Sequence, residues 1–128
     1  MRKQYHLRSA DEGFDAWDVD RLVDLASDLP IVDVSLSAIG EIDTVYWFQE
    51  DAESATVRAV VDHARLMQDA DLSWPIILDP DGRVLDGMHR VGRALLEGRS
   101  TMKAVRLEVL PEPDYRNCRP EDLPYDAG

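Results

Sequence analysis

Apolar residues recur along the chain with two different periods, which separate the predicted helices from the predicted strands. A spacing of three and four residues predicts a first helix over 19–29. Asp15 or Asp18 can cap this helix, and Pro30 follows it as a stop signal. Alternation of apolar and polar residues over 31–36 then predicts a half-buried strand.

The middle of the chain predicts a short turn, an aromatic cluster and a second helix. Residues 37–43 are predicted as a turn or short helix, and the aromatic cluster follows at 46–48. The second helix is predicted over 55–70 with Ser54 as its cap. Its apolar stripe is formed by Val57, Val60, Val61, Ala64 and Met67. His63 lies beside the stripe, where we expect a structural imidazole.

The second half of the chain predicts a hairpin, a glycine turn, a helix and a strand. These elements are strands over 75–79 and 83–86 joined by a turn at 80–82, a helix that begins at Met88 or His89 with Gly98 at its C-terminus, and a strand over 101–110. Gly92 lies inside the helix, where glycine costs about 1 kcal/mol relative to alanine. It marks either a close approach of a ligand or backbone, or simple helix–sheet packing.

Length and composition indicate one folded domain. The chain has 128 residues, of which 45% are hydrophobic, so neither two domains nor wholesale disorder is expected. We expect a core over about 30–110 and an irregular, proline-rich tail over 111–128 that wraps the domain surface or a partner. The chain has one cysteine, no apolar run long enough for a bilayer and no secretory signal, so a cytoplasmic protein is expected.

The charge is strongly negative and unevenly distributed. The chain has 14 Lys and Arg residues and 26 Asp and Glu residues, so its net charge is -12. This negative charge opposes simple electrostatic binding of DNA. The acidic half, residues 11–53, holds 13 acidic residues and one basic residue. The basic stretch, residues 83–106, holds six basic and two acidic residues. Either the two segments attract each other, or the basic stretch contains an anion site.

The segment LDGMHRV at 85–91 carries the most specific chemistry. A strand ends, Gly87 permits a sharp turn, and a helix begins with unpaired N–H groups that favour anions. His89 and Arg90 in the first helical turn oppose the helix dipole, which is understandable if an anion lies in front of them. The alternative is that Arg90 pairs with a carboxylate of the acidic half and His89 packs beneath it.

The segment PIILDPDGRVLDGMHR, continuing through ALLEG, resembles the ParB/sulfiredoxin superfamily. The shared pattern is an apolar strand, a D-G turn, a second strand ending in G-x-H-R, and a helix with small residues. It covers 75–107 and, more loosely, 31–43, and the chain is similar to small stand-alone bacterial ParB-like proteins. The resemblance implies an α+β fold, with a small mixed sheet packed against helices.

The resemblance also implies a phosphate site and excludes one activity. In the superfamily the helix start holds nucleotide phosphates, which assigns Asp86, Gly87, Met88, His89 and Arg90 to phosphate binding. Sulfiredoxins have their catalytic cysteine where this chain has Met88, so sulfiredoxin activity is not expected. Partitioning ParB proteins bind CTP here but continue into a helix-turn-helix domain. This chain ends soon after its last predicted strand, so we expect no full partitioning clamp.

The free-serine kinases of the same superfamily share D-G-x-H-R and use an N-terminal carboxylate as a general base. Glu41 or Asp43 would be that base here, with His89 as a second catalytic candidate and Asp86 helping to hold a metal. The alternative is that Glu41 and Asp43 lie in a solvated turn and have no catalytic role. The implied cofactor is ATP, ADP or CTP with Mg²⁺.

Three functions follow as hypotheses. The first is a nucleotide-binding domain with Mg²⁺-dependent phosphotransfer or nucleotide hydrolysis. The second is a non-catalytic regulatory module that binds a protein partner or a second copy of itself. The third, a DNA-associated nuclease-like protein, is disfavoured by the net charge. The sequence leaves open whether the domain is catalytic.

Overall fold

A computed structural model describes residues 3–48 and 53–125. In chain order the elements are β1 (Tyr5–Ala10), β2 (Gly13–Asp18), α1 (Val19–Ala26), β3 (Val32–Ser35), two 3₁₀ helices (Leu36–Ala38 and Gly40–Asp43), α2 (Val57–Asp69), β4 (Ile76–Leu78), β5 (Val84–Asp86), α3 (Met88–Leu96), β6 (Thr101–Arg106), β7 (Tyr115–Cys118) and a third 3₁₀ helix (Pro120–Asp122). Helices and mainly antiparallel sheets are both present, which confirms the predicted α+β class. Within the described ranges, no helix has the length and apolar character to cross a membrane.

The larger sheet has four strands in the order β3-β6-β4-β5. β4 and β5 form the predicted antiparallel hairpin, and β6 returns parallel to β4 after α3. β3 pairs antiparallel with β6 at the edge, in the register Val34 to Met102. β4 is buried on both faces, as its continuous apolar sequence predicts.

The two faces of this sheet are covered by separate apolar clusters. Ile76 and Leu78 point into a cluster that includes Val91 of α3, whereas Ile77 points into a cluster that includes Leu22 of α1. This division follows from the two-residue period of a strand. α3 therefore lies on one face of the sheet and α1 on the other.

The smaller sheet has three antiparallel strands in the order β1-β2-β7 and was not predicted. The tail over 111–128 was expected to be irregular, which is wrong at β7, because its residues pair with β2. Three of the four β7 residues are exposed, so the strand lacks the alternation that reveals a half-buried strand.

The first helix begins where predicted but ends early. Asp18 is its cap and accepts the N–H of Asp20 at 2.9 Å, whereas the helix ends at Ala26 and not at residue 29. The last strand is also shorter than predicted, because β6 ends at Arg106 and Val109 is exposed.

The second helix differs from the prediction in its cap and in its buried face. Thr56, not Ser54, accepts the N–H of Ala59 at 3.1 Å and caps α2. The valines of the predicted stripe are exposed, with Val57 at 82%. α2 instead turns Ala59, His63 and Met67 inward, at a four-residue spacing along one helix face. The valines lie on the other face of α2, and their larger number is why the sequence pattern predicted the wrong buried face.

Gly92 allows α2 and α3 to pack closely. A Cβ atom at this position would lie 2.8 Å from Sδ of Met67 on α2. The structure therefore supports contact with a side chain of a neighbouring helix, which is neither of the two explanations that the sequence offered. Gly98 follows α3 with φ +70° and donates its N–H to the carbonyl of Leu95, as predicted for the helix terminus.

Candidate functional site

A cleft of about 640 Å³ lies at the N-terminus of α3. Its walls come from β1, the aromatic segment before α2, the β5–α3 turn and the third 3₁₀ helix. Asp86, Gly87, Met88 and His89, four of the five predicted phosphate-binding residues, line it. Arg90 is not among the described residues of the lining.

The β5–α3 turn requires glycine. Gly87 has φ +108° and ψ +22°, in the left-handed region. A Cβ atom here would lie 2.6 Å from Cγ2 of Ile76 and 2.9 Å from Nη2 of Arg90. The first intrahelical bond joins the Val91 N–H to the Gly87 carbonyl, and Gly87 has no side chain to cap the turn. The N–H groups of residues 88–90 therefore precede the helical ladder, with the positive end of the dipole.

Arg90 stabilises the β5–α3 turn through two hydrogen bonds. Its Nη1 donates to the Pro75 carbonyl at 3.0 Å, and its Nη2 donates to Oδ2 of Asp86 at 2.8 Å. The alternative in which Arg90 pairs with a carboxylate is therefore the one observed, although the partner belongs to the same motif and not to the acidic half. Arg90 holds the start of α3 against β4 and β5.

His89 is linked to a second histidine and a carboxylate. Its Nε2 lies 2.8 Å from Nδ1 of His63, and Nε2 of His63 lies 2.8 Å from Oε2 of Glu53. We call this group the Glu53–His63–His89 relay. The Trp47 ring stacks on both imidazoles, with centroid distances of 4.4 Å to His63 and 4.7 Å to His89.

The relay defines which nitrogen atoms carry protons. A carboxylate only accepts hydrogen bonds, so Nε2 of His63 donates to Glu53. When His63 is neutral its Nδ1 is an acceptor, and Nε2 of His89 must then donate to it. Nδ1 of His89 is then an acceptor, and no described residue is hydrogen-bonded to it. Burial and the neighbouring His63 lower the pKa of His89, while Glu53 opposes that shift.

Glu53 and His63 were not among the predicted site residues. The contacts of His63 span 26 residues to His89 and 10 residues to Glu53, so no local spacing connects them. Two signals were present: His63 is one of three histidines in the chain, and the aromatic cluster at 46–48 shortly precedes the second helix. Trp47 does line the cleft.

The candidate general bases Glu41 and Asp43 lie elsewhere. Oε1 of Glu41 accepts the N–H of Val84 at 2.5 Å, at the edge of the β4–β5 hairpin. Glu41 lines a neighbouring cavity of about 240 Å³, and Asp43 is exposed on the second 3₁₀ helix. Among the described residues, neither lines the cleft at α3.

The sulfur-bearing residues give the site no nucleophilic thiol. Met88, which has a thioether and no thiol, is buried in the core. Cys118 is on β7, where its Sγ donates to the Phe14 carbonyl at 3.2 Å. Burial raises the pKa of the Cys118 thiol, which disfavours a reactive thiolate.

The cleft is lined by carboxylates and by histidines that are neutral at pH 7. Glu53, Asp86 and Glu121 contribute carboxyl groups, of which Asp86 is paired with Arg90. His6 also lines the cleft, and burial followed by the Arg8 charge lowers its pKa to about 3. The cleft therefore provides no strong cation of its own among the described residues.

Three of the six basic residues in the basic stretch pair with its own two acidic residues. Glu97 accepts from Arg93 at 2.6 Å and from Arg99 at 3.0 Å, while Asp86 pairs with Arg90. Of the ion pairs that the structure describes for this stretch, none reaches the acidic half.

No family model, curated protein or solved structure matches this chain. In the described part of the chain, no three His, Cys, Asp or Glu side chains are grouped as a metal site would require.

Proposed function

We propose that the cleft binds the phosphates of a nucleotide at the N-terminus of α3. The observation that carries this proposal is the turn at Gly87, which presents the N–H groups of residues 88–90 without a side-chain cap. The cleft volume of about 640 Å³ also lies within the usual range for small-molecule and cofactor sites. The resemblance of LDGMHR to the phosphate-binding segment of the ParB/sulfiredoxin superfamily supports the same assignment.

Aromatic side chains favour a nucleotide over free phosphate. Tyr5, Tyr46 and Trp47 line the cleft, and the last two form an edge-to-face pair with centroids 6.0 Å apart. Aromatic rings bind nucleobases by stacking, worth about 1–3 kcal/mol per base.

The carboxylates require that a divalent cation accompany the phosphates. Oδ2 of Asp86 is bound to Arg90, and no described residue is hydrogen-bonded to its other oxygen. Mg²⁺ is commonly held by one or two carboxylates together with substrate phosphates, so Asp86 and a nucleotide suffice without a protein cage. Bound there, the cation would offset the charge of the phosphates and of Glu53 and Glu121.

A non-catalytic interaction module is the second candidate. α2 exposes Val57, Val60 and Val61, and Leu66 on the same helix is half exposed. Single exposed apolar residues are common, but several on one helix are typical of a contact surface. Cytoplasmic location and a regulatory role belong to this proposal as well as to the first.

A thermal-shift panel tests the proposal with ATP, ADP, CTP and GTP, each with and without Mg²⁺. A ligand at about 100 times its Kd stabilises by about 2.7 kcal/mol. For a domain of this size that corresponds to a rise in Tm on the order of 10 °C. We expect such a rise with one nucleotide and only in the presence of Mg²⁺.

Two matched variants locate the effect. Asp86→Asn removes a carboxylate of the cleft, whereas Asp122→Asn removes an exposed one outside its lining. We expect Asp86→Asn to reduce the Mg²⁺-dependent shift and Asp122→Asn to leave it unchanged. A flat panel for all four nucleotides, or equal effects of the two variants, contradicts the proposed site.

A further inference from the structure

We propose that His89 is the acid–base residue of the cleft and that it accepts, at Nδ1, the proton of a hydroxyl group attacking the terminal phosphorus of the bound nucleotide. His63 and Glu53 are then positioning residues that fix the tautomer and orientation of His89. This inference rests on the proposed function and assigns it a reaction class, phosphoryl transfer to an alcohol or to water.

The position of His89 in the fold is the first support. It is the second residue of α3, so its side chain starts from the same turn that lines the cleft. No described residue is hydrogen-bonded to Nδ1 of His89, whereas Nε2 is held by His63. A base must lie within hydrogen-bond reach of the proton that it removes, and this atom belongs to a residue that lines the phosphate site.

The relay prepares His89 for this role in the same way that a carboxylate prepares the histidine of a hydrolytic triad. The two hydrogen bonds of 2.8 Å require His89 to carry its proton on Nε2 when both rings are neutral. Protonation of Nδ1 breaks neither bond, because His89 still donates to His63 and His63 still donates to Glu53. The positive charge formed on His89 is thereby connected to a negative carboxylate.

Trp47 supports the charged form further. Its ring lies nearly parallel to the His89 ring, with an interplanar angle of 12° and centroids 4.7 Å apart. The face of an indole attracts a cation, and within about 6 Å this attraction is substantial. Trp47 also lies over His63 at 20°, so one ring covers both imidazoles, whose planes are 19° apart.

The step is balanced in atoms and charge. The hydroxyl oxygen forms a bond to the terminal phosphorus, and the bond from that phosphorus to the bridging oxygen breaks. The nucleotide leaves, shortened by one phosphoryl group, with the electron pair of the broken bond. The hydroxyl proton passes to Nδ1 of His89 and is then lost to solvent, which restores the neutral imidazole.

The charged groups around His89 agree with a base that is free at neutral pH. Its pKa is lowered by burial and by His63 on α2, and raised by Glu53, which precedes α2 in the chain. Asp86, Glu121 and His6 line the same cleft from the remaining elements. The lowered pKa keeps His89 unprotonated at pH 7, as proton acceptance requires. Glu41 is less suitable, because its carboxylate is occupied by the Val84 N–H in the neighbouring cavity.

The first test observes the relay without any ligand. Long-range ¹H–¹⁵N NMR of the histidine rings distinguishes the two neutral tautomers and follows their titration. We expect both His63 and His89 to carry the proton on Nε2, and Glu53→Gln to lower the pKa of His89, because the Glu53 carboxylate raises it. Asp62→Asn is the matched control, because Asp62 adjoins His63 on α2 but is exposed and outside the relay. A proton on Nδ1 of His89, or equal shifts from the two variants, overturns the inference.

The second test measures turnover with the nucleotide that the thermal-shift panel selects. Product formation is followed in water and in the presence of small alcohols. We expect His89→Gln to reduce kcat by at least about 100-fold while nucleotide binding persists, as for loss of a general base. His63→Gln is expected to reduce kcat less and to move the acid limb of the pH profile, with Asp62→Asn leaving both unchanged.

The outcomes separate this inference from the proposed function. Failure of every nucleotide to bind refutes the proposed function and the inference with it. Nucleotide binding together with unchanged turnover in His89→Gln, or with no turnover in the unaltered protein, refutes the inference alone.

Discussion

Replacement of Gly87 with alanine perturbs the residue that turns the chain from β5 into α3. Gly87 has φ +108°, and a left-handed conformation costs a non-glycine residue about 1–3 kcal/mol. The added Cβ would also lie 2.6 Å from Cγ2 of Ile76, which is fully buried. Overpacking of a core costs about 1–3 kcal/mol, so we expect a total loss of about 2–6 kcal/mol.

Two other glycines separate the backbone cost from the steric cost. Gly98 has φ +70°, and no atom lies within 4 Å of its added Cβ, so alanine there bears the backbone cost alone, about 1 kcal/mol. Gly40 has no such φ and the same open surroundings, so alanine there is expected to change stability by less than about 1 kcal/mol.

Urea denaturation of the three variants measures these differences. The midpoint should fall in the order Gly40→Ala, Gly98→Ala, Gly87→Ala, with similar m-values if unfolding stays two-state. The largest expected loss corresponds to a fall in Tm on the order of 10–20 °C for a domain of this size. If Gly87→Ala is as stable as Gly98→Ala, the close contact between the turn and Ile76 does not exist and the described turn is wrong.

Two further predictions concern His6 and Asp79, which both contact Arg8. The pKa of His6 is lowered to about 3 in the folded protein. The imidazole of His6 therefore binds a proton more readily in the unfolded chain than in the folded one. The free energy of unfolding should fall as the pH drops from about 6.5 toward 3, by up to about 1.4 kcal/mol per pH unit. Urea midpoints measured across this range should decline less steeply in His6→Gln, and identical slopes would contradict the assignment. Asp79 is 2% exposed and pairs with Arg8 at 2.9 Å while accepting two N–H groups of the β4–β5 turn. Asp79→Ala should cost about 3–5 kcal/mol in urea unfolding, because it leaves the Arg8 charge unpaired, and a loss below about 1 kcal/mol would refute that role.

The hairpin, turn and helix over 75–98 could be predicted because their signals are local. Apolar alternation, the Asp–Gly turn and Gly87 specify structure within a few residues of themselves. The start of α3 at Met88 and the glycine after its end are accordingly where the sequence places them. The α+β class was implied by the resemblance that this segment carries, and the helix predicted over 19–29 forms over Val19–Ala26.

The smaller sheet and the buried face of α2 could not be predicted, because tertiary contacts determine them. β7 pairs with β2 about 100 residues earlier in the chain, and neither strand alternates cleanly. On α2, a close approach between Met67 and Gly92 selects the less apolar face for burial. Intrinsic pattern is a weak guide where packing partners are distant.

For the candidate site, the sequence predicted the glycine turn and the start of the helix, but it did not predict which side chains contact His89. Asp86, Gly87 and His89 were placed correctly at the start of a helix, since a glycine turn before a helix has a local signature. Glu53 and His63 join His89 only through the packing of α2 against α3. Arg90 is engaged by Asp86 and the Pro75 carbonyl, which the charge pattern alone did not specify.

The most direct test of the phosphate site is an amide ¹H–¹⁵N NMR titration of the protein with Mg²⁺ and each of the four nucleotides. Phosphate binding at the start of α3 predicts saturable shifts at the amides of residues 88–90, the groups that precede the helical ladder. Addition of Mg²⁺ alone should leave these amides in place. If no nucleotide shifts them, or if the shifts map to the arginines around Glu97, the start of α3 is not a phosphate site.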